Sequence, residues 1–378
     1  MILFFLFSLL GDSNTLYLMD KSFSSFDMEE EFRFLSSKNG IQTTLGSRNS
    51  EQWYEMYRIK IWTSLFSNIV FEYNLECEND YDIKTEEHLF KLRWIGGENS
   101  QIPLSFSLFL SPQSSQNKKY IGMGIGYWKN IKNNHSLNII LHEFDHNHLI
   151  SRREPSIYED PFTKFPISLE LQGLINSGQA DLYYRYYKTI KAKKNFLENA
   201  EEIGRGEYGG MGLKNIIYYH LFNKISPGLR LNYSKTDSSY ISIPQDTLSY
   251  ETDITIFFAE PFIKTKISEK SNFYIGFPMD WKHIKNYSLD YKRKWIGLTL
   301  LYNHSFSDYI NLTLGIQKSW RNLNGQKNSE TRGILGFDLR FNQKSYIAIR
   351  QGIELDFPLP EKLEEYNNHT YFMFNHCF

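Results

Sequence analysis

Three shortages narrow the field before any motif is read. Beyond the N-terminus no run approaches the ~20 apolar residues of a membrane helix, so no segment reads as one. That shortage leaves a membrane β-barrel untouched, because its polar lumen-facing residues break up every apolar run. Only two cysteines occur in 378 residues, Cys77 and Cys377, too few for a disulfide framework, although one bridge between them stays open. Charge of one sign is missing as well. The 42 Lys and Arg against 43 Asp and Glu leave a net charge of −1, which excludes a broad electrostatic footprint for nucleic acid. No internal repeat of fixed period is visible, which argues against a propeller.

Aromatic residues are abundant, at 16% with 26 Tyr and 29 Phe, and interfacial girdles of membrane barrels need them. The dominant pattern is alternation with period two. Ile69, Phe71, Tyr73 and Leu75 alternate with Val70, Glu72, Asn74 and Glu76; Ile121, Met123, Ile125 and Tyr127 interleave with Gly122, Gly124 and Gly126. Three hairpins are predicted. The first spans 165–188 and turns at Asn176-Ser177-Gly178. The second joins Ile296–Tyr302 to Ile310–Ile316 across Ser305 to Asp308, and the third turns at Asn342 to Lys344. At the end of the chain Phe372, Phe374, His376 and Phe378 share one strand face, and the sequence closes on an aromatic.

Connections alternate in length. Short turns fall near Asn342, Ser305, Glu269, Asn223, Ser177, Asn133, Gly97 and Ser64; longer polar stretches between them include 191–212, 235–250, 280–291 and 321–330. The pattern predicts an all-β fold: a single closed antiparallel transmembrane β-barrel, 28–378, of about 18 strands, with 16 as the other option. Its first strand would be 28–35 (MEEEFRFL), and Pro261 would interrupt a strand. Short turns would face the periplasm and long loops the outside. A soluble sandwich also alternates, but would bury its apolar face under a second layer. The apolar block Met1 to Leu10 has the length of a signal-peptide core, so 1–20 is read as an export signal or its remnant. No basic residue precedes that block and no small-x-small site follows it. A buried helix or strand is the plain alternative.

These features resemble a bacterial outer-membrane β-barrel of porin-like type; no individual family is indicated. The resemblance covers 28–378. It implies a Gram-negative outer-membrane location, lipid and small solutes as partners, association into homo-oligomers, and a C-terminal strand (Phe372, Phe374, Phe378) read by barrel-assembly machinery. His376 departs from the usual aromatic at its position.

Chemistry-bearing motifs reduce to structure. His142-Glu143-Phe144-Asp145-His146 matches a zinc-protease pattern, but the alternation before it indicates a strand. There His142 and His146 would sit ~13 Å apart and could not share an ion. A weak metal contact through His146 and His148 is the residual option. Gly122-x-Gly-x-Gly126 lies inside a strand, where inward glycines let the wall bend or leave room; 191–203 has helical periodicity and reads as a loop helix, with a constriction folded into the pore as the bolder alternative. No G-x-S-x-G elbow occurs. No catalytic residue, metal or cofactor is expected. The functional candidates are inward charges: Arg58, Lys60, Glu72, Lys91, Arg93, Glu170, Asp181, Arg185, Asp338, Arg340, Arg350 and Glu354. Lining a water-filled lumen they would set solute preference; pairing across strands they would stiffen or plug it. The expected function is a porin-like channel for small polar or charged solutes. The alternative is a closed barrel acting as a binding, assembly or scaffold protein for a partner or surface polymer.

Overall fold

The computed structural model describes residues 39–49, 54–66, 68–80, 83–96, 104–111, 118–130, 133–144, 157–159, 167–198, 201–221, 224–242, 249–286, 290–342, 345–354 and 368–377. Strands succeed one another from β1 (Gly40–Asn49), β2 (Tyr54–Phe66), β3 (Ile69–Asp80) and β4 (Ile83–Ile95) to β5 (Leu104–Ser111), β6 (Lys118–Asn130), β7 (Asn133–Phe144) and the short β8 (Ile157–Glu159). Then come β9 (Ile167–Asn176), β10 (Ala180–Glu198), β11 (Glu201–Tyr219), β12 (Ile225–Ser242), β13 (Ser249–Ser268), β14 (Ser271–Gly276) and β15 (Met279–Asn286). The wall finishes with β16 (Asp290–Ser305), β17 (Ile310–Leu323), β18 (Gln326–Asn342), β19 (Ser345–Glu354) and β20 (Asn368–Cys377).

All pairings are antiparallel between neighbours, and β1 pairs with both β2 and β20, which closes the sheet on itself. The wall has 18 strands, because two pairs of segments each serve as one. β8 extends the wall beside the far end of β10, in line with β9. β14 and β15 hold one register against β13: Gly276 faces Phe262 and Met279 faces Ala259, with only Phe277 and Pro278 between. The expected count therefore holds, but its first member differs. Residues 28–35 lie outside the described residues, and β1 fills the wall position between β20 and β2.

Alternation puts the apolar set on the outside. Leu108 is 60% exposed, Met123 58% and Ile296 56%, with Leu169, Leu171, Leu314, Ile316, Leu335 and Phe337 in the same band. A contiguous apolar belt of this extent cannot face water, and a closed antiparallel wall leaves no unpaired edge in lipid. The chain is a β-barrel of the bacterial outer-membrane type. Tyr302, His304, Phe374 and His376 sit outward below the belt; His304 accepts or donates with Ser271 Oγ at 2.9 Å, and His376 stacks on Phe374 at 6.4 Å and meets Ser345 Oγ at 2.6 Å. His376 thus fills an aromatic place in the girdle with an aromatic ring.

Three expectations are corrected. The helix predicted over 191–203 is strand: β10 continues to Glu198 and pairs with β11 down to Glu198–Glu201, with two irregularities, so inter-strand pairing overrides helical periodicity. Pro261 does not interrupt β13, which runs through it from Ser249 to Ser268; the break falls on the neighbouring strand at Phe277-Pro278. The stretches 235–250, 280–291 and 321–330 are not mainly loop but strand ends, since β12 runs to Ser242, β16 starts at Asp290 and β17 runs to Leu323. Cys77 on β3 and Cys377 on β20 stand three strand spacings apart, about 14 Å, and five residues out of register, roughly 16 Å more along the strand, beyond disulfide reach.

Candidate functional site

Turned inward, the polar face builds a charged lumen wall. Lys60, Glu72 and Lys91 come from β2, β3 and β4, where register sets Glu72 beside Lys91. Lys60 Nζ lies 3.5 Å from Glu72 Oε1, and Asn74 Nδ2 donates to the same oxygen at 2.9 Å. Lys91 stands in the combined field of Arg93, Glu72, Lys60 and Glu170. Glu170 belongs to β9, four neighbours along the wall from β4. The intervening inward face carries Gly122, Gly124 and Gly126, all buried, so little side-chain bulk separates them. Part of that room is filled: the Phe109 ring lies over Gly122. Arg185 on β10 pairs with Glu170, donating from Nη2 to Oε2 at 3.1 Å.

Six expected residues therefore form two inward groups on this part of the wall: Lys60, Glu72, Lys91 and Arg93 on β2 to β4, and the Glu170–Arg185 pair on β9 and β10. Arg58 is inward on β2 and exposed. Asp181 lies at the turn end of β10, bound to Asn176 and to His220 Nε2 at 3.0 Å, apart from both groups. On the other side of the β1–β20 seam, Arg350 of β19 donates to Asp338 of β18 at 2.5 Å and lies over Gly336. Arg340 stands exposed one inward position nearer the turn. The backbone of Glu354 pairs with Arg332, while its side chain lies outside the described residues.

The structure adds charges that sequence reading missed. Arg293 pairs with Asp280 and adjoins Lys282; Arg321 Nη1 and Arg332 Nη2 reach Glu330 at 2.8 and 3.0 Å. Glu260 accepts from Tyr274 Oη at 2.5 Å and sits 3.9 Å from Arg230 Nε. Asp280, Lys282, Arg321 and Glu330 fall in the polar stretches 280–291 and 321–330, which read as loops in the sequence. A signal was available for two of them: Asn324-Gly325, with φ of 48° and 94°, forms the tight turn that makes 321–330 a hairpin. On the inward face of β13 to β16, Glu260 and Ile284 are 0% exposed and Leu301 1%.

His142 and Glu143 lie in strand β7, as expected, with Tyr120 facing His142. Asp145, His146 and His148 lie outside the described residues, as do 1–20 and Phe378. Phe372 and Phe374 stand on the outward face of β20, facing β1 and β19.

No family model and no curated protein matches the sequence. Solved structures similar to the chain include OccAB2 of Acinetobacter baumannii, at 10% identity and TM-score 0.44 over 90% of this chain and 96% of that one. The outer-membrane-expressed OmpT of Vibrio cholerae matches at 8% identity and TM-score 0.45 over 90% and 96%. OprD of Pseudomonas aeruginosa matches at 10% identity and TM-score 0.43 over 91% and 95%.

Proposed function

We propose that the chain is a porin-like channel of the bacterial outer membrane, passing small polar or charged solutes by diffusion and catalysing no reaction. The observation that carries this reading is the inward set Lys60, Glu72, Lys91, Arg93, Glu170 and Arg185 on a closed 18-strand wall. Walls of this circumference leave an aqueous path unless something fills it, and charges of both signs at its surface bias which solutes enter. Barrel-assembly machinery and a second copy of the chain are partners consistent with this reading.

The test is single-channel conductance of detergent-refolded protein in a planar bilayer. Stable ohmic steps are expected, with a reversal potential that moves toward cations in the Arg185→Glu and Arg340→Glu variants, because each exchange reverses one lumen charge. A specific observation favours the second reading, a closed binding or scaffold barrel: the burial of Glu260, Ile284 and Leu301 on the β13–β16 side. Absence of current from heat-modifiable, inserted protein would select it.

A further inference from the structure

The aromatic rings on the lumen wall are not alike. Trp62, Phe109 and Phe262 each lie over a glycine of a neighbouring strand, and each is at most 8% exposed. Tyr187 of β10 lies over Gly212 of β11 in the same way, with its Cε1 and Cζ nearest to where a Cβ would stand. It is only half-buried. A ring held flat against glycine on one side, yet half-open, shows its other face to the lumen.

Register surrounds this ring with hydrogen-bonding groups. In its own row Glu170 of β9 stands on one side, with Gly212 and then Ser234 of β12 on the other. The next inward row toward the short turns is Gln172, Arg185, Lys214 and Asn232, on the same four strands. It sets an amide, a guanidinium, an ammonium and a second amide in line. Lys214 and Asn232 are exposed, and the Arg185 side chain is 44% exposed while it holds Glu170 at 3.1 Å. Three strand spacings make each row about 14 Å long, and the two rows lie ~7 Å apart. An open aromatic face beside a line of donors and acceptors suits a ligand that is apolar on one face and polar at its edge. A pyranose ring is such a ligand: its axial C–H bonds meet the negative face of the aromatic ring, and each edge hydroxyl both donates and accepts.

We propose that Tyr187, with Glu170, Gln172, Arg185, Lys214 and Asn232 around it, is a saccharide subsite on the lumen wall. One sugar ring stacks on Tyr187, and its hydroxyls bond to Glu170 and to the row below. The subsite rests on the reading of the chain as a channel for small polar solutes, and it names one class of them. The rows are long enough for a short oligosaccharide lying around the wall. Arg185 and Glu170 act here through directed hydrogen bonds, since each already offsets the charge of the other.

The experiment is calorimetric titration of maltotriose into the full chain refolded in lauryldimethylamine oxide, a detergent without a sugar headgroup. Sorbitol, an open-chain polyol with hydroxyls but no ring, is the control. Wild type is expected to bind maltotriose with a Kd on the order of 1 mM and to give no heat with sorbitol. Tyr187→Ala should weaken binding about fivefold and Arg185→Gln about tenfold. Tyr187→Phe and Tyr187→Trp, which keep a ring, should stay within about twofold of wild type. Heat-modifiable migration should report the folded barrel in every variant. Equal binding of sorbitol and maltotriose, no binding by wild type, or undiminished binding by Tyr187→Ala overturns the subsite. A loss in Tyr187→Phe as large as in Tyr187→Ala also overturns it, by placing the contact on the hydroxyl and not on the ring face. Conductance separates the two readings: current without maltotriose binding removes the subsite and keeps the channel, while binding without current removes the channel and keeps the subsite.

Discussion

At the residue scale the recurring device is a large inward side chain laid flat across a glycine of the next strand. Trp62 covers Gly40, Tyr187 covers Gly212, Phe262 covers Gly228 and Arg350 covers Gly336. Each inward glycine therefore leaves a slot that brings a bulky group back against the wall and out of the lumen. Arg350 is the case with chemical consequence, since the slot holds its guanidinium on Asp338 and near the carbonyls of Ile349 at 3.1 Å and Phe337 at 3.4 Å. The three atoms nearest a Cβ at position 336 all belong to Arg350, with Nε at 2.8 Å and Nη1 at 2.9 Å. Gly336→Ala should lower stability by about 1–3 kcal/mol, read from the urea-unfolding midpoint in detergent. The cost should shrink in an Arg350→Ala background, where the obstructed atoms are gone; an unchanged cost would place the strain in the backbone instead. The polar identity of Arg350 and Asp338 was legible from alternation. Their contact was not, because it depends on which residues register sets side by side.

Elements were read best where a turn signal and a clean alternation coincide. The Asn176-Ser177-Gly178 and Ser305–Asp308 hairpins form as expected, with Gly178 at φ 82°. β1 was missed because GIQTTLGSRN offers small and polar residues with only Ile41 and Leu45 as strong outward markers. Strand ends beyond the belt were missed for a related reason: outside lipid neither face needs to be apolar, so alternation fades although backbone pairing continues. The proline region gives a prediction of its own. Phe277 N donates to Pro261 O at 3.0 Å. The reciprocal bond to the Phe277 carbonyl is missing because proline has no N–H. Pro261 is exposed on the lipid side, where an unsatisfied carbonyl is costly. Pro261→Val should supply that donor and raise stability by about 1 kcal/mol, seen as a higher urea midpoint. A lower midpoint would show that the fixed proline φ matters more than the lost bond.

At the scale of the whole molecule, everything argued for the lumen and the lipid face depends on closure between the two ends of the sheet. The seam is a full ladder: Gly40 faces Cys377, Thr43 faces Phe374 and Arg48 faces His369 across β1 and β20. Directly opposed residues in an antiparallel pair have Cα atoms about 4.5–5.5 Å apart, within the range a disulfide spans. Thr43 and Phe374 both point outward, so a bridge between them would leave the lumen untouched. In a C77S/C377S background, Thr43→Cys with Phe374→Cys should crosslink under mild oxidant in the folded, micelle-bound protein. Boiled, non-reduced protein should then run faster than its reduced form, because the bridge ties residues 43 and 374 of the unfolded chain. Offsetting one partner along β20, with Thr43→Cys and Thr370→Cys, moves the thiols four residues apart, about 13 Å, and should abolish the crosslink. Equal crosslinking of both pairs would mean a seam that slides in register. No crosslinking of either would mean an open sheet, and an open edge in lipid would leave β1 and β20 without their hydrogen bonds.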